Sequence, residues 1–86
     1  MQGIDSIHIQ AAEDGDFPWK CEIRADWAAT LVYHYMREID TWCVETLESG
    51  AWQTASVVWT KNQYCHTEYY FLTQQQAVLF QLRWSP

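Results

Sequence analysis

The last twenty residues of this 86-residue chain, TEYYFLTQQQAVLFQLRWSP, place a strand directly before a capped helix. The aromatic-rich residues 67–72 favour a pleated strand. Thr73 and Gln76 then have the spacing of a capping box, in which the hydroxyl accepts a backbone N–H and the glutamine reaches back to the cap. Because the helix follows the strand so closely, the segment predicts a helix that packs back on its own sheet.

The predicted C-terminal helix is apolar on several sides. Its apolar positions are a main stripe of Ala77, Phe80 and Trp84, the neighbouring Val78 and Leu82, and Leu79 on the far side. A wide apolar arc is typical of a helix that buries a large part of its surface. We therefore expect this helix to lie flat on the sheet.

A hairpin is predicted to lead into this segment. Residues 54–60 and 64–72 read as strands, joined by the three residues 61–63. This loop length sets the register. It pairs Trp59 with Cys65, Val57 with Thr67 and Ala55 with Tyr69 on the core face, and Val58 with His66, Ser56 with Glu68 and Thr54 with Tyr70 on the other. A two-residue loop would shift the register and pair Trp59 with His66.

The N-terminal part predicts a second hairpin. Isoleucines alternate with polar residues in residues 4–11, and residues 19–26 alternate from Trp19 to Asp26. Between them, residues 13–18 contain the sequence Glu-Asp-Gly-Asp-Phe-Pro, which is typical of a turn. We expect two antiparallel strands joined by an acidic loop.

Residues 27–50 allow two interpretations. The segment 30–35 has the branched and aromatic side chains of a strand, so we favour a strand to about Tyr35 and a helix from Arg37 to Ser49. The alternative is a single helix over residues 27–48, with Asp26 as its N-cap. In either case Gly50 suits the left-handed position after the helix.

These elements predict one α+β domain over residues 1–86. We expect a two-layer sandwich of ferredoxin-like character, in which two helices cover one face of an antiparallel or mixed sheet of four or five strands. Six Trp, five Tyr and three Phe can fill its small core, since each buried aromatic removes about 150–250 Å² from water. The other face of the sheet is expected to be partly open, which suits a homodimer.

Charge and composition exclude several classes of protein. Eleven acidic residues against five scattered basic ones give a net charge of −6, which argues against direct binding of nucleic acid. The sequence has no apolar run of membrane-spanning length and no signal peptide, so we expect no membrane association. Three cysteines are an odd number, which favours free thiols and a cytoplasmic location.

The cysteines and histidines do not have the spacing of a known site. The candidates are Cys21, Cys43, Cys65, His8, His34 and His66. Only Cys65 and His66 are close in sequence, and neighbouring strand residues point to opposite faces. We therefore expect no metal site, no cofactor, no Cys–His nucleophile and no enzymatic activity. Cys43 and Cys65 are interpreted as small core residues, and His66 as a solvated strand residue.

The densest acidic cluster is the partner-binding candidate. Glu13, Asp14 and Asp16 lie together in the predicted loop between the first two strands. Such a cluster can contact a basic surface of a partner. An alternative is that its carboxylates mimic the phosphates of a nucleic acid.

The C-terminal residues also carry a resemblance to a group of proteins. The residues concerned are Tyr70, Phe71, Ala77, Leu79, Phe80, Leu82, Arg83 and Trp84. The pattern F-x5-A-x-LF-x-LRW resembles the ending of short uncharacterised proteins of large tailed bacteriophages, including phages of cyanobacteria, and residues 37–43 are a weaker echo. The resemblance implies a phage accessory protein in the host cytoplasm, and it transfers no functional residue.

The sequence thus predicts a small acidic, non-enzymatic interaction protein. Its expected partner is a host or phage protein, or a second copy of itself as a homodimer. The alternatives are a structural homo-oligomer and an acidic mimic of nucleic acid.

Overall fold

The structure is a computed structural model that describes residues 4–13, 15–27, 31–54, 58–59 and 65–86. In chain order, its elements are β1 (Ile4–Ala11), β2 (Trp19–Ala25), α1 (Val32–Thr46), β3 (Trp52–Thr54), β4 (Val58–Trp59), β5 (Cys65–Phe71) and α2 (Gln74–Trp84). The two predicted strands of the N-terminal hairpin are confirmed. The C-terminal strand and helix are confirmed as well.

All pairs of neighbouring strands in the described sheet are antiparallel. The order is β1-β2-β5-β3, and β4 also pairs with β5. Since β2 occupies one side of β5 along its whole length, β3 and β4 share the other side. The sheet is therefore four strands wide, with both helices packed on it, and the α+β architecture is confirmed.

The register along β5 changes by one residue between β3 and β4. The predicted pairs of Val58 with His66 and Trp59 with Cys65 are confirmed. Thr54, however, pairs with Tyr69, so its predicted pairing with Tyr70 is wrong. The number of loop residues fixes the register only where the ladder continues without interruption. An extra residue on one of two paired strands shifts every residue pair beyond it. The predicted pairs of Ala55, Ser56 and Val57 lie outside the described residues.

The opposite edge of the sheet is also irregular. The pairing of β1 with β2 shifts between Ile4 and Ser6, so that Ile4 faces Ala25 and Ser6 faces Arg24. This shift allows Ile4, Ile7 and Ile9 to face the helices despite their uneven spacing. Ile4 and Ile7 are buried in the core, and Ile9 packs against it.

Helix α1 corrects the favoured interpretation of residues 30–36. The structure has Val32–Thr46 as one helix, so the predicted strand to Tyr35 is wrong. Val32, Met36, Ile39 and Cys43 are buried on one face of it. Burial of this stripe outweighs the β-propensity of the segment, because packing of an apolar face supplies most of the stability of a helix in a protein.

The ends of α1 also differ from the prediction. Leu31 is the N-cap and makes no side-chain capping hydrogen bond, so Asp26 does not cap the helix. The helix ends at Thr46 rather than Ser49. Gly50 has a φ of +81°, which confirms the left-handed conformation, but in the turn before β3 rather than directly after the helix.

Helix α2 begins as the capping box predicts. The backbone N–H of Gln76 donates to Oγ1 of Thr73, and the backbone N–H of Thr73 donates to Oε1 of Gln76, both at 3.2 Å. The main stripe of Ala77, Phe80 and Trp84 is buried, as expected. The expected broad arc is wrong, since Val78 and Leu82 are exposed together with Leu79.

Aromatic rings from four elements meet beneath the two helices. Phe80 lies 5.1 Å from both Tyr69 and Phe71 of β5 between ring centroids, and 6.0 Å from Trp42 of α1. Trp52 of β3 stacks on Tyr69 at 6.2 Å. The predicted core face of β5 is therefore confirmed at Tyr69 and Phe71, which are fully buried.

A part-buried polar contact lies at the edge of this core. The hydroxyl of Tyr69 donates to Oδ1 of Asp40 at 2.6 Å, and the hydroxyl of Thr54 donates to the same oxygen at 3.3 Å. Burial raises the pKa of Tyr69 strongly, and the hydrogen bond to Asp40 adds to this effect. A hydrogen bond to a charged group is shorter and stronger than a neutral one. This contact therefore fixes α1 to β3 and β5.

We predict that Phe80→Ala lowers the free energy of unfolding by about 3–5 kcal/mol, because it leaves a cavity among buried rings. Urea denaturation followed by circular dichroism measures the change. The matched control is Tyr33→Ala on α1, whose aromatic side chain is 74% exposed and which should cost about 0.5 kcal/mol or less. Equal losses in the two variants would contradict the described core.

We also predict that the protein loses stability in alkaline solution. Burial raises the pKa of the thiols of Cys21 and Cys43 from 9.0 to about 12, and that of Tyr69 rises above its ordinary 10.0. The unfolded state therefore releases these protons at lower pH. The stability is fully present below pH 9 and falls as pH rises towards the folded values, by about 1.4 kcal/mol per pH unit for each thiol.

Urea denaturation at a series of alkaline pH values tests this dependence. Tyr69→Phe removes one of the three groups, so its stability should fall less steeply than that of the wild type above pH 10. Stability that is constant or increasing above pH 9 would contradict the burial of the three groups.

Candidate functional site

The face of the sheet away from the helices carries a group of charged side chains. In β2 and β5, buried residues alternate with partly exposed or exposed polar ones, so the polar side chains share this face. They are Lys20, Glu22, Arg24, His66, Glu68 and Tyr70. We call these six residues the open face. They lie on the two central strands, which hold them in fixed register.

Two carboxylates lie directly opposite each other in the open face. Glu22 of β2 pairs with Glu68 of β5, an arrangement in which like charges repel. Each carboxylate has a basic neighbour at 2.9 Å: Nε of Arg24 contacts Oε1 of Glu22, and Nζ of Lys20 contacts Oε2 of Glu68. The hydrogen bond from Arg24 lowers the pKa of Glu22, and the hydrogen bond to Glu68 raises the pKa of Lys20.

His66 completes this group from the same strand as Glu68. Its Nε2 atom is 3.5 Å from Oε2 of Glu22. That nitrogen is buried and makes no hydrogen bond to any residue in the described part of the chain. On the other side, the hydroxyl of Tyr70 donates to Oε1 of Glu68 at 3.3 Å. Burial, together with Glu68, raises the pKa of Tyr70.

The sequence did not reveal this group because its members come from distant segments. Adjacent residues of a strand point to opposite faces, so the sequence offered no neighbour of His66 in β5 as its partner. The partners of His66 are instead Glu22 and Glu68, and the first of these approaches only through the pairing of β2 with β5. Polar residues alternate with apolar ones in both β2 and β5. Had the pairing of these two strands been known, this alternation would have placed Glu22, His66 and Glu68 on one face.

One of the predicted partner-binding residues lies beside the open face. Glu13 and Asp16 are exposed in the β1–β2 loop, and Asp14 lies outside the described residues. The loop is closed by a hydrogen bond from the backbone N–H of Ala12 to the carbonyl of Pro18 at 2.8 Å. Glu13 lines a small cleft of about 330 Å³, together with Gln10, Ala11, Ala12, Lys20 and Tyr70. The structure therefore brings one predicted residue to the edge of the open face.

The helical side has a wider cleft between α1 and α2, with a volume of about 690 Å³. Trp42 and Trp84 contribute aromatic rings to it, with centroids 6.2 Å apart. Arg83 lies over the ring of Trp84 at 4.1 Å, which is a favourable cation–π geometry. The remaining lining is His34, Tyr35, Arg37, Glu38, Thr41 and Glu45, so both charge signs are present.

An uncharged, largely apolar surface runs along the outer side of α2. Gln75, Val78, Leu79 and Leu82 recur at the spacing i, i+3, i+4 and i+7, opposite the buried stripe, and we call them the α2 outer stripe. All four are exposed, and Leu82 is 74% exposed. None carries a charge. The sequence signal for this surface was the apolar residue on every side of the helix.

The described cysteine side chains do not form a reactive site. Cys21 and Cys43 are free and buried, which raises their pKa to about 12. The thiol of Cys21 donates to the carbonyl of Ala77 at 3.4 Å. A thiol with such a raised pKa is protonated at neutral pH and is a poor nucleophile and metal ligand. The core position predicted for Cys43 is confirmed, and the side chain of Cys65 lies outside the description.

We predict that neither thiol reacts with a disulfide reagent before the protein unfolds. The measurement is the absorbance of the released thiolate, in a Cys65→Ser background so that only Cys21 and Cys43 are counted. Both should react in denaturant, which is the internal control. Rapid reaction of either thiol in the folded protein would contradict its burial.

Comparison with known proteins supplies no family for this chain. Searches of protein-family models, curated proteins and solved structures gave no match. The resemblance to phage proteins therefore stays a prediction. Within the described residues, neither helix is long and apolar enough to cross a membrane.

Proposed function

We propose that this chain is a small, non-enzymatic interaction protein that acts as a homodimer, with the α2 outer stripe as the contact between two copies. The observation that carries this proposal is a helix that is apolar on two opposite sides. Ala77, Phe80 and Trp84 pack on the sheet, whereas Val78, Leu79 and Leu82 face outward.

The spacing of the stripe suits helix packing. Positions i, i+3, i+4 and i+7 form the seam by which two helices pack side chain between side chain. A helix that is hydrophobic all round is typical of a buried position. Here one side of α2 is covered by its own sheet and the other has large exposed leucines, so a second helix is the complementary surface.

Charge favours a second copy at this surface. Each chain has a net charge of −6, so two copies repel each other over most of their surfaces. No acidic residue follows Glu68 in the sequence, and Arg83 is the only charged side chain in α2. A two-fold contact through α2 brings together the segments that lack acidic side chains, so the repulsion is smallest there.

The sequence predicted that the uncovered face of the sheet would suit a homodimer, but the charges of the open face make it less suitable. Its glutamates are already paired with Lys20 and Arg24. Burying such pairs in an interface costs desolvation free energy that the pairs recover only in part. The outer side of α2 is therefore better suited to the dimer contact than the sheet is.

Several narrower predictions accompany this proposal. A phage accessory role in the host cytoplasm is supported by the C-terminal resemblance, and the ferredoxin-like character by the two-layer arrangement. Contact of Glu13 and Asp16 with a basic partner is supported by the exposure of both side chains in the β1–β2 loop. Mimicry of nucleic acid by the acidic loop is the alternative role for the same residues.

We predict that Leu82→Lys weakens dimerisation by about a hundredfold, because the two-fold contact places like charges together in a desolvated surface. Lysine near the C-terminus of a helix is favourable for the helix itself, so folding is preserved. Sedimentation equilibrium over a range of concentrations measures the dissociation constant. The control is Val44→Lys on α1, which makes the same charge change at a side chain that is 68% exposed.

Two results would contradict the homodimer. One is a wild-type protein that sediments as a monomer at every concentration, including the case in which it binds a different protein through the α2 outer stripe. The other is an equal effect of Leu82→Lys and Val44→Lys on the dissociation constant. Circular dichroism of both variants confirms that each is folded before the comparison.

A further inference from the structure

We infer that Glu22, His66 and Glu68 bind a divalent transition-metal ion on the open face of the sheet. These residues are on the opposite side of the sheet from α2, so the inference is independent of the proposed homodimer. We call the three residues the Glu-His-Glu site.

The distances within the site are close to those that a metal ion requires. One ligand atom from each residue lies within 4.8 Å of the others. Nε2 of His66 and Oε2 of Glu22 are 3.5 Å apart. Two ligands at bond lengths of about 2.0–2.1 Å around a tetrahedral ion are about 3.4 Å apart. The Glu22–His66 pair is therefore already at the separation of two metal ligands, and a carboxylate oxygen of Glu68 lies within 4.8 Å of both.

Arg24 and Lys20 each contact one carboxylate oxygen of a glutamate in the site, which leaves the other oxygen of each glutamate available to bind an ion. Arg24 contacts Oε1 of Glu22, and Oε2 is the oxygen nearest to His66. Lys20 contacts Oε2 of Glu68, while the neutral hydroxyl of Tyr70 donates to Oε1. Hydrogen bonds of this kind around metal-binding carboxylates orient them towards the ion.

His66 supplies the observation that distinguishes this site from an ordinary group of surface ion pairs. Its Nε2 is buried, faces a carboxylate oxygen at 3.5 Å and has no hydrogen bond within the described part of the chain. A buried polar atom without a partner costs about 1–3 kcal/mol. An ion between Nε2 and the two carboxylates satisfies that nitrogen and also removes the repulsion between Glu22 and Glu68.

The ligand types indicate the class of ion. One imidazole nitrogen and two carboxylate oxygens suit Zn²⁺ and its first-row neighbours, whereas Mg²⁺ and Ca²⁺ prefer oxygen ligands alone. Lys20 and Arg24 balance the two carboxylates, so the ion adds net positive charge locally. The overall charge of −6 offsets this cost by attracting cations to the protein.

Titration of the full-length chain with Zn²⁺ by calorimetry tests the site, in a Cys65→Ser background so that the thiol of residue 65 does not compete. We expect saturable binding that His66→Gln and Glu22→Gln each weaken by about tenfold or more. The matched control is His34→Gln. Nε2 of His34 lies 3.8 Å from Oε1 of Glu38, so the control removes a histidine that has a carboxylate beside it on α1. It should leave the affinity unchanged.

Nuclear magnetic resonance provides a second measurement that is independent of any variant. Paramagnetic Co²⁺ or Ni²⁺ at low stoichiometry should broaden the amide signals around Glu22, His66 and Glu68 before those around His34. The absence of saturable Zn²⁺ binding would overturn the inference. So would binding that survives both His66→Gln and Glu22→Gln, or broadening that is centred on another part of the chain.

Discussion

The side chain of Tyr69 is the contact on which the arrangement of this fold depends. Its ring packs against Phe80 of α2 and stacks on Trp52 of β3. Its hydroxyl donates to Asp40 of α1 at 2.6 Å. A single residue of β5 thus contacts both helices and the neighbouring strand β3. Because its ring is packed and its hydroxyl has an acceptor, Tyr69 is buried without leaving its own donor unpaired.

The position of Tyr69 also separates the two faces of β5. Tyr69 and its alternate neighbours face the helices, so His66, Glu68 and Tyr70 must face the other way. The chemistry of the molecule is divided accordingly. The covered face is aromatic and apolar, the open face holds the carboxylates and the imidazole, and the outer side of α2 holds exposed leucines. The α2 outer stripe and the Glu-His-Glu site are therefore on different surfaces, so substitutions in one leave the other unchanged.

Local patterns predicted the elements that depend on local interactions. The capping box at Thr73 and the buried stripe of Ala77, Phe80 and Trp84 were readable because they repeat within one helix. The start of α1 could not be predicted from local patterns. Val32 and its neighbours have β-propensity, and it is the burial of the apolar face that stabilises the helix there. The Glu-His-Glu site was not predictable either. It depends on the pairing of β2 with β5, which are separated by a helix and two other strand segments.

The irregular pairing at the sheet edges has a consequence for how the protein avoids aggregation. An exposed edge strand offers unpaired backbone groups on which a foreign strand can extend the sheet, and natural proteins disrupt such edges with shifts in register. In this sheet one edge shifts between Ile4 and Ser6, and the other changes register between β3 and β4. Each edge of the described sheet is therefore interrupted at one point, which shortens the ladder that a foreign strand can extend.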